Sequence, residues 1–182
     1  MNRLLSSALA LIFGMTLLSS CTTNTEPTTN TATLLTIDQI RSNAGYAWFD
    51  AEKNIYKPDD SKVRDINEAF KNKNQKIYFF VNPSCSCDGT KKTFPRAIRI
   101  LQDAGIPNDR IVIYSMKSHT DDHPLKDKFQ LRDLPSIFIT VNDVIKCKME
   151  VIDGQLYVSG NGKIDDSPGQ KLEEVMADGF SW

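Results

Sequence analysis

Apolar and polar positions follow three different rhythms along this chain. From Leu4 to Leu18 the apolar residues run almost unbroken, with Arg3 the only charge ahead of them. From Thr22 to Thr33 the residues are mostly Thr and Asn. Beyond Leu34 the pattern becomes periodic. Val63, Ile66 and Phe70 share one face of a predicted helix that Asp60 or Ser61 can cap and that runs to about Lys73. Lys76 to Asn82 is an apolar run that predicts a strand buried on both faces. Phe94, Ala97, Ile98 and Leu101 recur at helical spacing between Asp88 or Thr90 and Ala104, with Gly105 as the stop. Pro95 falls inside that helix and predicts a kink or a restart, because it lacks an N–H. Strands follow at Arg110 to Met116, Ser136 to Val141, Ile145 to Ile152 and Gln155 to Ser159. Pro124 to Gln130 predicts a short helix after a polar loop. Ser167-Pro168 opens a last helix to about Asp178, with Leu172, Val175 and Met176 inward. Near the start, Tyr46-Ala47-Trp48-Phe49 predicts a short strand by aromatic content. Alternation followed by a hairpin implies an α/β fold, a mixed sheet flanked by helices on both faces.

Three segments result. Residues 1–20 have the layout of a secretory signal, too short and too poorly flanked for a transmembrane helix. Residues 21–36 hold Cys21 and a polar stretch with too little apolar surface to offset the entropy of ordering, which predicts a flexible tether. Residues 37–182 are enough chain for one domain with a single core. The formal net charge of −1 and the lack of a basic stripe argue against a nucleic-acid partner.

The four cysteines then decide the candidate chemistry. Leu18-Ser19-Ser20-Cys21 resembles the lipobox of bacterial lipoproteins. That resemblance implies a lipid on Cys21 as the first mature residue and a membrane anchor. With Thr22 rather than Asp next, it implies the outer membrane, facing the periplasm. Cys85, Cys87 and Cys147 remain, an odd count in an exported chain. Cys85-Ser86-Cys87 stands directly behind the apolar run Ile77-Tyr78-Phe79-Phe80-Val81. A strand followed by a helix start puts both thiols where N–H groups and the helix dipole favour thiolate. Thiolates attack disulfides and bind soft metals. Cys147, flanked by Lys146 and Lys148, falls on the opposite face of its strand and reads as a buried, inert thiol. A partner role towards Cys85 or Cys87 is the alternative.

The order of elements, the strand–cysteine–helix unit, Pro95 and the stretch Phe129 to Ile139 together resemble the thioredoxin fold. The resemblance covers about Tyr46 to Asp178 and implies a thiol–disulfide oxidoreductase. It implies that the Leu134–Pro135 bond is cis and faces the cysteines. Leu134 would then offer its backbone to an extended substrate, in the manner of an added strand. Cys85 would attack and be the more exposed thiol, and Cys87 would resolve. Two departures matter. Thioredoxins have two residues between the cysteines where this chain has one, and Phe79 stands where many carry a buried acid. Asp88 reads as a helix-start residue. Lys91 and Lys92 can hold a thiolate or simply face solvent. A ring closed across one residue must bend tightly, and strain makes a disulfide easier to reduce. The pair is therefore expected to donate or shuffle disulfides in cysteine-containing envelope proteins, with a separate redox protein as partner and no cofactor.

Two other classes stay open. A Cys-x-Cys pair with imidazole suits Cu(I), which would use Cys85, Cys87, His119 and His123, with Met116 or Met149 as conceivable thioether ligands. A non-catalytic envelope interaction module with a static Cys85–Cys87 bond is the other.

Overall fold

A computed structural model of the chain describes residues 30–85, 87–160, 163–165 and 170–182. The predicted signal segment, Cys21 and the predicted helix opening at Ser167-Pro168 lie outside the described residues.

The first half is helical. Thr36 caps α1 (Ile37–Ser42) in a reciprocal box with Gln39. A 3₁₀ turn (Ala44–Tyr46) leads to α2 (Phe49–Ile55), so the strand expected at Tyr46 to Phe49 is not formed. Its aromatics are drawn into the core instead, where Tyr46 and Phe49 pack on Phe94 with ring centroids 6.1 and 5.2 Å away. Burial of those rings outweighs local β preference. Asp59, one residue before the expected cap, accepts the Ser61 N–H at 2.8 Å and starts α3 (Asp60–Lys71). β2 (Gln75–Val81) follows as expected. A π-turn (Gly89–Thr93) runs into α4 (Phe94–Asp103). Pro95 sits in the first turn of α4, where its missing N–H costs little.

The remaining elements are β3 (Ile111–Ser115), β4 (Ser136–Val141), β5 (Val144–Ile152), β6 (Gln155–Gly160), β7 (Lys163–Asp165) and α5 (Leu172–Ser181). β4–β5 and β5–β6 are two-residue hairpins. Asn142 and Asp143 in one, and Asp153 and Gly154 in the other, all have positive φ, the backbone that type I′ turns need. With β1 (Thr33–Leu35), seven strands among the described residues form one mixed sheet in the order β1-β3-β2-β4-β5-β6-β7. β2 and β3 run parallel, and every other pair is antiparallel. β1 lies within the stretch read as the tether, residues 21–36. Leu34 pairs with Tyr114, and the Ala32 N–H donates to the Asp122 carbonyl at 2.8 Å. An open strand edge thus captures the end of the polar segment.

The two sheet faces differ. Ile77, Phe79 and Val81 of β2, with Cys147 and Met149 of β5, face a large cluster to which α1 through α5 all contribute. Tyr78, Phe80, Tyr114 and Phe138 face the other way, against Phe129, Leu134 and Met116. Helices on both faces were expected. Among the described residues they cover one face only, and the segment 117–135 covers the other as turns. The expected helix at Pro124 to Gln130 is present only as turns, closed by the Lys128 and Phe129 N–H groups on the Leu125 carbonyl, and Phe129 packs between Tyr78 and Phe138 at centroid distances of 4.7 and 4.6 Å. No helix among the described residues is long and apolar enough to cross a membrane.

Candidate thiol–disulfide site

β2 delivers the chain to the carboxyl end of the sheet, where Asn82 fixes the bend. Its Oδ1 accepts the Ser84 N–H at 2.9 Å, and its Nδ2 donates to the Lys117 carbonyl at 2.7 Å. Cys85 and Cys87 are joined by a disulfide, and the bend brings their Cα atoms to 5.2 Å, within the ordinary span. The Cys87 N–H donates to Cys85 Sγ at 3.2 Å. The buried Thr90 hydroxyl lies 3.4 Å from Cys87 Sγ, and it must donate because a disulfide sulfur carries no proton. The Cys87 carbonyl accepts the Lys91 N–H at 3.1 Å and so joins the pair to the start of the helix. Each sulfur therefore already has a donor that would stabilise it as a thiolate. The expected order of exposure is reversed: as residues, Cys87 is exposed and Cys85 half-buried, although Cys87 Sγ itself lies against the buried Thr90 hydroxyl. Lys92 is paired with Asp88 at 2.8 Å and holds that carboxyl below its usual value, so its charge is committed to Asp88.

Opposite the cysteines stands the Leu134–Pro135 bond, which is cis. A network beneath holds this bend. The Ser136 hydroxyl is 2.6 Å from the Asp133 carbonyl and 3.1 Å from Glu150 Oε1. Glu150, 1% exposed, also accepts the Arg132 N–H at 2.8 Å, Arg132 Nε at 2.7 Å and Lys148 Nζ at 2.9 Å. Burial pushes its carboxyl up, but these donors together outweigh burial and hold it below its usual value. The Leu134 N–H donates to Asp133 Oδ1 at 2.7 Å.

Cys85, Cys87, Asp133, Leu134, His119 and Val151 line one cavity of about 490 Å³. Gly89 allows the helix start to approach the sheet this closely. A Cβ there would lie 2.7 Å from Val151 Cγ1 and 3.9 Å from Pro135 Cδ. Pro135, itself buried, thus backs the helix start while Leu134 reaches the cavity.

The other candidates separate. His119 is exposed and lines this cavity. His123, the other imidazole of the copper reading, is not among the residues lining this cavity; it is only 4% exposed, with its ring 4.8 Å from that of Phe80, and burial lowers its pKa. Met116 and Met149 belong to opposite clusters. Among the described residues, no three His, Cys, Asp or Glu side chains gather into a group able to hold a metal. Cys147 is a buried free thiol on the helix-covered face, and burial pushes its pKa up to about 12. It stands four residues before Val151 on β5, roughly 13 Å along the strand. Phe79 fills the helix-side core, 5.5 Å from the Phe94 ring.

Sequence reasoning missed Thr90, Asp133, Gly89 and Glu150. Thr90 had a signal, since it lies one helical turn beyond Cys87. Glu150 had one too: it is the only acid on an alternation with Lys146 and Lys148, next to apolar Val151 and Ile152, which marks it as a partner for a neighbouring cation. Nothing local marked Asp133 or the contact at Gly89.

No protein-family model matches the chain, and no curated protein or solved structure matches it significantly.

Proposed function

We propose that this chain is a thiol–disulfide oxidoreductase of thioredoxin-like arrangement, an oxidant or isomerase rather than a strong reductase. The observation that carries the reading is the shared cavity of Cys85, Cys87 and Leu134, with the Cys87 N–H aimed at Cys85 Sγ. Sequence spacing adds the direction, since a single intervening residue favours a readily reduced bond.

The chemistry balances as an exchange. A substrate thiolate attacks Cys85 Sγ, a substrate–Cys85 bond forms, and the Cys85–Cys87 bond breaks. The electron pair leaves on Cys87 Sγ, beside the Thr90 hydroxyl. A second substrate thiolate attacks the first substrate sulfur and expels Cys85 as a thiolate, towards which the Cys87 N–H points. Two electrons and two protons pass from substrate to protein. A separate disulfide-bearing redox protein then takes the electrons and restores the pair. Leu134 aligns the substrate backbone, and Pro135 sets the bend that presents it.

In the same reading, Cys21 is lipidated and tethers the domain to the outer membrane on its periplasmic side. The substrates are cysteine-containing proteins of the envelope. The test uses the full chain in detergent with a reduced, unfolded dithiol substrate. Oxidised protein is expected to convert substrate to disulfide stoichiometrically. Offered instead an oxidised peptide with its own disulfide, Cys87→Ser is expected to accumulate a mixed disulfide, because its Cys85 thiolate attacks the peptide disulfide and expels one peptide sulfur as thiolate, and Cys85→Ser is not. Exchange no faster than without protein contradicts the reading.

One observation favours a second reading. His119 lines the same cavity as both cysteines, so a Cu(I) site would form if its imidazole closed on the reduced pair, since the three do not gather into a metal-holding group as they stand. Stoichiometric Cu(I) retention by the reduced protein, lost in His119→Ala, would support the carrier. Inertness in both assays leaves a non-catalytic module.

A further inference from the structure

The Leu134 N–H is the donor that an added substrate strand would use, yet it is already taken. Asp133 Oδ1 accepts it at 2.7 Å. Asp133 cannot drift far from this position. Its carbonyl lies 2.6 Å from the Ser136 hydroxyl, and the neighbouring Arg132 N–H is held by buried Glu150. The Asp133 side chain also lines the cavity that holds Cys85 and Cys87. A peptide carbonyl reaching the Leu134 N–H therefore has to displace a carboxylate, which then needs a new donor. The other charged or titratable side chains around this cavity are Asp88, Lys117, His119 and Asp153. Asp88 is already paired with Lys92.

We propose that Asp133 is a specificity-determining residue: it occupies the peptide-docking donor of Leu134 and yields it best to a substrate that carries Lys or Arg beside its cysteine. The substrate carbonyl takes the Leu134 N–H while its cation takes the freed carboxylate, so both partners of the original bond are satisfied after the exchange. An uncharged segment satisfies only one of them and leaves Asp133 to water. The inference rests on the disulfide-exchange reading and names the substrate class for it.

The test compares two reduced dithiol peptides that differ only in Lys or Ser beside the first cysteine. The oxidised full chain acts on them in detergent, with oxidised glutathione regenerating the pair. KM for the Lys peptide is expected to be about fivefold lower than for the Ser peptide, the size of a partly exposed charge pair. Asp133→Ala is expected to lower KM for the Ser peptide by a similar factor, because it frees the Leu134 N–H. Asp133→Asn keeps an acceptor but no charge, and is expected to abolish the Lys preference. The preference should weaken with added salt, which a merely structural role of Asp133 would not produce. If the wild-type chain exchanges with both peptides and the two variants match it in KM and preference, this inference falls alone. If the wild-type chain exchanges with neither peptide nor dithiothreitol, the exchange reading falls and takes this one with it.

Discussion

Thr90 shows how a single buried hydroxyl bears on the proposed chemistry. It is fully buried, 3.4 Å from Cys87 Sγ, and can hydrogen-bond the sulfur that leaves when substrate attacks Cys85. Thr90→Val keeps the shape and removes the donor. Hydrogen bonds to charged groups contribute about 1.5–3 kcal/mol, so peptide oxidation is expected to slow by about tenfold or more. Single-turnover stopped flow measures this directly; an unchanged rate would remove Thr90 from the leaving-group role. At this scale the sequence was partly legible. Cys85, Cys87 and Leu134 were readable from strand ends and from a resemblance, and the structure brings them to one cavity. Exposure was misread, because it depends on where the helix begins after Cys87, which no period in the sequence marks. Asp133 was silent, since its contact arises from a backbone bend and not from any period.

At the scale of elements, the site depends on how closely the helix start lies against β5. Gly89 sets that distance: an added Cβ would stand 2.7 Å from Val151 Cγ1. Gly89→Ala is expected to destabilise the fold by about 1–3 kcal/mol, as overpacking does. Val151→Ala in the same chain should restore part of the loss, and urea denaturation of the four-member mutant cycle measures the coupling. Strict additivity would mean that the two elements are not held together at this point. The elements themselves were well marked where apolar residues repeat, as in α3, α4 and β2. They were misread where tertiary packing overrides local preference. Tyr46 and Phe49 enter a helix-side aromatic core, and Phe129 plugs the opposite face without a helix around it. β1 was unreadable because its stability comes from the β3 edge.

For the molecule as a whole, two buried titratable groups, His123 and Glu150, contribute to the response to acid. Burial lowers the His123 pKa from its ordinary 6.5, so the unfolded chain takes up this proton first as pH falls. Its share of stability is full above 6.5 and is lost as pH falls towards the folded value. Glu150 is held below its ordinary 4.5, so its share is full above 4.5 and is lost as pH falls through the folded value. Urea midpoints are therefore expected to decline in two stages, the first beginning near pH 6.5 and the second near pH 4.5. His123→Gln should remove the first stage alone; a single flat profile down to the lower stage in the unaltered chain would contradict the buried, neutral histidine. The same sheet that buries these groups carries the cysteine pair at its end, and the account as a whole stands on that pair being exchangeable. The most direct measurement is the equilibrium of Cys85–Cys87 against glutathione redox buffers, read by mass after thiol labelling. We expect half-reduction between about −120 and −230 mV, the range of oxidases, isomerases and glutaredoxins. A potential below about −300 mV, that of a structural disulfide, would contradict the account.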